Sequence, residues 1–370
     1  MAVYARVEIV APPDRRAPTD TPANLPPACL PVGAEIESTR SAHQAKTGTV
    51  TYDPGLELHV WNGRVGSCSI ERQAGLGAII FVIKETHMLP GQASRTMART
   101  AMRRAAHQLL DRPLIFEDPI AVGLIPEASK QTILDNVEEH RTPTSTLLRA
   151  LFAFRSRFAE DRLAQATARG VGQYVILGAG LDTFPWRQPE FAQRMKIFYV
   201  DHPASLALTM ECFRLRDLPI PPNVSFVAVD LEKPELGERL GEHGFDCETG
   251  AFCSVLGVIQ YISRSAVEAL LRVAASWQGQ SEIVLSFVLP ADELDGEEYD
   301  TVTRIFTFTK AMDEPFITRF SPSEIYGFLT RIGFGEIFHL TPKRAQERYF
   351  TGRNDSLRAP RFEQLIAAIV

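Results

Sequence analysis

The residues best suited to chemistry stand in two short stretches, Tyr174-Val-Ile-Leu-Gly-Ala-Gly-Leu-Asp-Thr183 and Tyr199-Val-Asp201. An apolar run ends in two glycines one residue apart. About twenty residues later a second apolar run ends in a carboxylate, the separation at which an acid meets a ribose. Glycine lets backbone approach a ligand closely, and an acid at the tip of a second strand accepts hydrogen bonds from ribose hydroxyls. Gly178 and Gly180 alone would serve equally well to shape a strand-to-helix turn. With Asp201 at this distance, the pattern reads as a site for an adenosine-containing molecule.

The turn also discriminates between such molecules. A dinucleotide fingerprint has a third glycine and points a helix N-terminus at a pyrophosphate. Here the third position is Thr183, preceded by Asp182. A carboxylate in that loop repels a pyrophosphate but suits a ligand bearing a sulfonium and an ammonium group, which predicts S-adenosylmethionine as cofactor.

These residues need a parallel sheet to hold them. Strands are expected at Gln173–Leu177, Lys196–Asp201, Ser225–Asp230, Ala251–Leu256 and Glu282–Val288, with helices near Ala204–Arg216, Glu235–His243 and Arg264–Trp277 between them. Continuous apolar strands alternating with amphipathic helices make an α/β fold, a doubly wound and mostly parallel Rossmann-like sheet covered on both faces. Such sheets bind ligands beyond the carboxyl ends of their strands, at the switch in strand order. Asp230-Leu231 and Gly257–Tyr261 fall at two further strand ends. Asp230 and the backbone at Leu231 suit an adenine edge, although Asp230 reads as readily as a helix N-cap before Pro234. Upstream, a helix from Ser94 and a long amphipathic helix from about Thr144 to Thr167 are expected to form a helical cap over residues 91–168, ahead of a core at 172–370. An acidic segment at Asp292–Asp300, a helix from Ser321 and a last strand pair near Phe334–Leu340 and Arg348–Tyr349 complete the reading.

Read together, Ser94-Arg-Thr-Met97, Arg104-Ala-Ala-His-Gln108, Phe116-Glu-Asp-Pro119, Arg155-Ser-Arg157, Ile176–Thr183, Trp186-Arg187, Tyr199-Val-Asp-His-Pro203, Val229-Asp-Leu231 and Leu256–Tyr261 resemble the leucine carboxyl methyltransferase family. This is a group of class I S-adenosylmethionine-dependent O-methyltransferases, and the resemblance is strongest to its bacterial small-molecule branch. It covers roughly Ser94 to Val370. It implies a methyl transfer to a carboxylate or hydroxyl of a small molecule such as a secondary metabolite. Position by position, it implies that Arg155, with Arg157 as neighbouring candidate, pairs with the cofactor carboxylate. Gly178 and Gly180 would line the methionine part, Asp201 the ribose, and Asp230 with Leu231 the adenine, with Ala179 and His202 also among the cofactor-binding residues. Two positions depart from the protein-modifying members: Leu256 stands where they carry a glutamate, and a cofactor-contacting lysine of theirs aligns near Met97. Both departures favour a small-molecule acceptor.

A carboxylate acceptor is already anionic near neutrality and needs no base. A hydroxyl would benefit from one, and His202, His107 and Tyr261 are the candidates, each equally readable as a packing or capping residue. The arginines at 95, 99, 103 and 104 would meet an acidic acceptor or form a solvated helix face. Two other readings stay open: a nicotinamide-dependent oxidoreductase, disfavoured by the missing third glycine and by Asp182, and a non-catalytic binding protein on a methyltransferase scaffold, suggested by Leu256.

Bulk properties narrow the field. Of 370 residues, 45% are hydrophobic and 23% charged, with a formal charge of −6. This ordinary globular composition gives no support to nucleic-acid binding through a basic surface. The longest apolar run, Leu76 to Ile83, falls far short of the ~20 residues that span a bilayer, so no membrane partner is expected. Five scattered cysteines without a C-x-x-C pair predict reduced thiols, no metal site and a cytoplasmic location. Seven prolines crowd the first 31 residues, and recognisable patterning begins only after Met88. Residues 1–90 are therefore expected to be a disordered or accessory extension, or a start assigned too early, with β-like pieces at Leu56–Trp61 and Ala78–Ile83 that lack an evident partner.

Overall fold

The computed structural model describes residues 95–370 and, ahead of them, the backbone of four short strands. The chain divides into two compact units, Met1–Gln73 and Ala74–Val370. In the first, β1 (Ile9–Val10), β2 (Glu37–Ser38), β3 (Thr47–Tyr52) and β4 (Leu56–Trp61) form an antiparallel sheet in the order β1-β4-β3-β2. Leu56–Trp61 thus has the partner that the sequence did not reveal, pairing residue for residue with β3. The piece at Ala78–Ile83, like most of the expected extension at 1–90, lies outside the described residues.

The second unit is built on a seven-stranded sheet ordered β10-β11-β9-β8-β5-β6-β7. β5 (Gln173–Leu177), β6 (Lys196–Asp201), β7 (Val224–Ala228), β8 (Ala251–Val255) and β9 (Glu282–Val288) run parallel. β5, β8 and β9 are buried along their whole length, as strands covered on both faces by helices must be. The chain runs outward from β5 through β6 to β7, then returns to β8 on the other side of β5. The switch in strand order therefore lies between β5 and β8, and their carboxyl ends open the crevice.

The far edge differs from expectation. Arg348–Tyr349 is not a strand but part of a π-helical turn, Gln346–Phe350. The partner of β10 (Glu336–Leu340) is β11 (Glu363–Ile369), which is inserted antiparallel between β10 and β9. The acidic segment feeds a helix, Gly296–Ala311, which the sequence reading had not assigned.

Four helices matter most for the crevice: α1 (Arg95–Leu110), α2 (Pro119–Leu124), α3 (Glu127–Asp135) and α4 (Pro143–Ala168). α4 starts with Thr142 accepting from the Ser145 amide and with proline in its first turn, a strong start signal. It is not the one-faced amphipathic helix expected. Ala150, Leu151, Ala153, Phe154, Arg155, Phe158 and Ala159 are all buried, because α4 packs against α1 as well as against β8, β9 and β11.

A buried ionic cluster ties these helices to the sheet. Arg104 on α1 donates through Nε to Asp118 Oδ2 at 3.0 Å, and through Nη1 and Nη2 to Leu181 O at 2.8 Å and Thr183 Oγ1 at 2.9 Å. Thr183 donates in turn to Asp118 Oδ1 at 2.8 Å. Asp118 also caps α2 through the Ala121 amide. Arg187 joins Asp118 to Glu160 of α4. A second buried pair, Arg149 with Asp111, is bidentate at 3.0 and 3.1 Å, and His107 shares Asp111.

Burial pushes the Asp118 carboxyl up, but Arg104 and Arg187 outweigh it and hold the group below its usual range. Burial is likewise outweighed at Asp111 by His107 and Arg149. Asp118→Ala would leave the buried Arg104 guanidinium without its acid, while Arg187 keeps Glu160, and breaking a buried pair costs about 3–5 kcal/mol. Urea unfolding should show a loss of that size, against a change within about 0.5 kcal/mol for Lys130→Ala at an exposed pair; equal effects would remove the cluster's structural role. Because both folded carboxyls titrate low, the stability they add is fully present above pH ~4 and is lost as pH falls through their folded values. Unfolding free energy should therefore drop on acidification below pH ~4, with a shallower drop in Asp118→Ala; identical acid limbs in the two proteins would contradict this.

Candidate active site

A cavity of about 1440 Å³ opens at the carboxyl ends of the parallel strands. A pocket for a single drug-sized ligand occupies roughly 300–1,000 Å³, so this one has room for two molecules. All eight residues expected to hold a cofactor line it: Arg155 from α4, Gly178, Ala179 and Gly180 after β5, Asp201 and His202 after β6, and Asp230 with Leu231 after β7.

The glycine turn is built as its sequence requires. Gly178 has φ +63° and Gly180 φ +52°, the left-handed region in which a side chain is strained. A Cβ on Gly178 would also stand 2.4 Å from Val258 Cγ2. The Ala179 amide donates to Val200 O at 3.1 Å, which folds the turn back over β6. Thr209 Oγ1 donates to Gly180 O at 2.7 Å and fixes the second glycine from the following helix. Asp182 Oδ1 accepts from the Phe184 amide at 2.7 Å, so this carboxylate shapes the turn while lining the cavity.

Asp201 is held from two sides. Its Oδ2 accepts from the Gly180 amide and its Oδ1 from the His202 amide, both at 2.7 Å. Burial lifts its carboxyl above the ordinary range against the pull of these two N–H groups. Each carboxylate oxygen accepts more than one hydrogen bond, so the locked group retains acceptor capacity toward the cavity. Asp230 is not the cap of the next helix, Leu236–Glu242, whose cap position is Glu235. Its Oδ1 instead accepts from the Glu232 amide at 3.1 Å in a local turn.

The base candidates resolve differently. His107 is buried and does not line the cavity: Nδ1 meets Asp111 at 2.8 Å and Nε2 accepts from the Ile115 amide at 3.1 Å. His202 lines the cavity, but its Nδ1 accepts from the Ala204 amide at 3.3 Å, capping the helix Pro203–Arg214. Tyr261 lines the cavity edge-on to Phe316, and burial pushes its phenol well up, leaving it a donor at neutral pH. Arg157 points away and pairs with Asp161 at 2.8 Å on the surface. Of the α1 arginines, Arg104 is committed to the ionic cluster, Arg103 donates to Ser145 at 2.9 Å, and Arg99 stacks 4.3 Å over Phe308.

The sequence reading missed Glu363, the first residue of β11, which meets Arg155 at 3.2 Å within the cavity. An acid leading a nearly continuous apolar run to the chain end was the available signal. It also missed the segment at 312–317. This segment closes the cavity wall and is held by the Ile317 amide donating to Gln260 O at 2.8 Å.

Known proteins match this architecture. The leucine carboxyl methyltransferase family profile matches residues 97–275. The Bacillus subtilis protein YktD, which bears an S-adenosyl-L-methionine-dependent methyltransferase name, is 31% identical over 296 residues, covering 74% of this chain and 96% of its own length. Rv3399 of Mycobacterium tuberculosis, named in the same way, is 31% identical over 189 residues, 48% of this chain and 52% of that protein. Among solved structures, a DUF574 family protein from Streptomyces avermitilis covers 72% of this chain and 95% of its own at 15% identity and TM-score 0.48. Human N-acetylserotonin methyltransferase in complex with its cofactor covers 90% and 78% at 13% identity and TM-score 0.37. Those distant likenesses add nothing to the strand order, on which the fold rests. No helix among the described residues is long and apolar enough to cross a membrane. With a relative matched over nearly its whole length and a family profile across the glycine turn and the acids that follow it, the chain belongs to the leucine carboxyl methyltransferase family and is an S-adenosylmethionine-dependent methyltransferase.

Proposed function

We propose that the enzyme methylates an oxygen of a small molecule, a carboxylate in preference to a hydroxyl, and that the eight residues named above hold the cofactor. The observation that carries this reading is a walled cavity too large for one ligand, in which none of the three base candidates named above, His107, His202 and Tyr261, is free to take a proton. A carboxylate is anionic near neutrality and suits such a site. The cofactor supplies an electrophilic methyl group on a sulfonium. The chain then has to bind, orient and exclude water, since positioning supplies much of the rate of a displacement between two held reactants. Ile305, Phe308, Met312 and Phe316 give the acceptor side an apolar wall. A surround of low polarity favours a transition state in which charge is dispersed.

In this reading Asp201 takes the ribose diol, Asp230 and the Leu231 backbone the adenine, and Arg155 the cofactor carboxylate, with Gly178–Gly180 leaving room for the methionine chain. Calorimetric titration of the purified protein should give micromolar S-adenosylmethionine binding, weakened by roughly 1–3 kcal/mol in Asp201→Ala. Unchanged affinity in the variant would remove Asp201 from the site. Release of S-adenosylhomocysteine, screened across small carboxylic acids and their hydroxyl counterparts, tests the acceptor; turnover confined to hydroxyl compounds would overturn the preference stated here.

Gly257 offers an independent test of Arg155. Its φ is +73°, and a Cβ there would stand 2.6 Å from Arg155 Nη1. Gly257→Ala should cost more than about 1 kcal/mol of stability and weaken cofactor binding by pushing the guanidinium aside. A variant with wild-type melting and wild-type affinity would show that neither the turn nor Arg155 needs its present place.

A further inference from the structure

The ion pair between Arg155 and Glu363 is unusual for its setting. Both side chains are almost fully buried, at 11% and 3% exposure, and both line the cavity. They come from α4 and from the start of β11, more than two hundred positions apart in the chain. Glu363 stands in register with Val288, the last residue of β9. The guanidinium lies against Gly257 in the turn after β8, whose amide donates to Ser286 Oγ at 2.7 Å. The pair therefore sits at the carboxyl ends of β8 and β9, beside the switch in strand order.

The sheet does not require this pair. β11 is held by complete antiparallel ladders to β9 and β10, and removing two charges from water is costly enough that an apolar substitute would serve stability as well. What the pair offers the cavity is one cation and one anion side by side. That is the complement of an α-amino acid head, whose carboxylate and ammonium are joined through one carbon. We infer that Glu363 receives the ammonium group of the cofactor's methionine moiety while Arg155 receives its carboxylate. This rests on the cofactor-site reading above. The fixed guanidinium fork suits a carboxylate, and a glutamate held against it is pre-organised for a cation. Leu256 gives the end of β8 no acid of its own; Glu363 supplies one from the strand two places along the sheet.

The test is calorimetric titration of the full chain, wild type and Glu363→Gln, with three ligands: S-adenosylmethionine, its decarboxylated analogue, which keeps the ammonium, and 5′-methylthioadenosine, which lacks the amino acid head. Glu363→Gln should weaken the first two by roughly tenfold or more and leave the third within about twofold. Loss toward the decarboxylated analogue cannot pass through Arg155 and a carboxylate, so it reports on the ammonium directly. Equal losses for all three ligands would mean that Glu363 only supports the site, and an unaltered affinity for S-adenosylmethionine would mean that it does not touch the head; either overturns the inference alone. A wild-type measurement covers the case of a variant that does not fold. An S-adenosylmethionine analogue with hydrogen in place of its amino group should bind roughly tenfold more weakly than the parent, and equal binding overturns the inference. A folded wild type that binds none of these ligands overturns the cofactor-site reading and this inference with it.

Discussion

The glycine turn depends on a carboxylate that never faces the cavity. Asp118 accepts from Arg104 and Thr183 and caps α2, while Arg104 reaches on to the Leu181 carbonyl. Both ends of that arrangement hold the segment just after Gly180. A loop with two residues at positive φ has more conformations to lose than an ordinary turn. Fixing its downstream end to a buried ion cluster limits them before any ligand arrives. Buried ion pairs add little net stability compared with apolar packing, and fixing a conformation is a role they serve in some proteins. Here that role has a concrete object: the Gly180 amide must be in place for Asp201 to be clamped at 2.7 Å.

The same economy of means governs α4. It carries Arg155 and Glu160 from within the core, so neither side chain can wander as it would on a surface helix. The cost of burying their charges is met locally, Glu160 by Arg187 and Arg155 by Glu363. Burial still lifts the Glu160 carboxyl above its ordinary range despite Arg187, which shows how strongly desolvation acts at this depth. Arg155 is placed by its helix, by Gly257 and by Phe152, over whose ring it lies at 4.6 Å. Glu363, the Phe152 ring and the close backbone of Gly257 together leave the guanidinium little freedom.

Much of this was legible in the sequence, for identifiable reasons. Gln173–Leu177, Lys196–Asp201 and Glu282–Val288 were read to the residue, because continuous apolar runs bounded by polar or glycine breaks have one sensible interpretation in a parallel sheet. β11 was missed because Glu363-Gln-Leu-Ile-Ala-Ala-Ile369 is rich in good helix formers. Only its insertion between β9 and β10 makes it a strand, and no local signal carries that. α4 was recognised as a helix, but its one-sided character was misjudged, since period alone does not say that a second helix and three strands cover the other faces. The motif residues Arg104, Asp118, Thr183 and Arg187 were legible as a family mark, while their mutual contact across some eighty positions became visible only in three dimensions.

The distribution of charge in the cavity bears on how such an enzyme keeps methyl transfer selective. Five of the acids that line it are engaged: Asp182 with the Phe184 amide, Asp201 with two amides, Asp230 with the Glu232 amide, Glu314 with the Thr96 amide and Glu363 with Arg155. A carboxylate held by N–H groups is a weaker nucleophile and a better-placed hydrogen-bond acceptor than a free one. With the cofactor held as proposed above, its electrophilic methyl group would be bordered by carboxylates already engaged by N–H groups. In the function proposed above, the oxygen left to react would be the acceptor's own, entering along the apolar side at Ile305, Phe308 and Phe316, where it would lose water and gain the geometry that displacement requires.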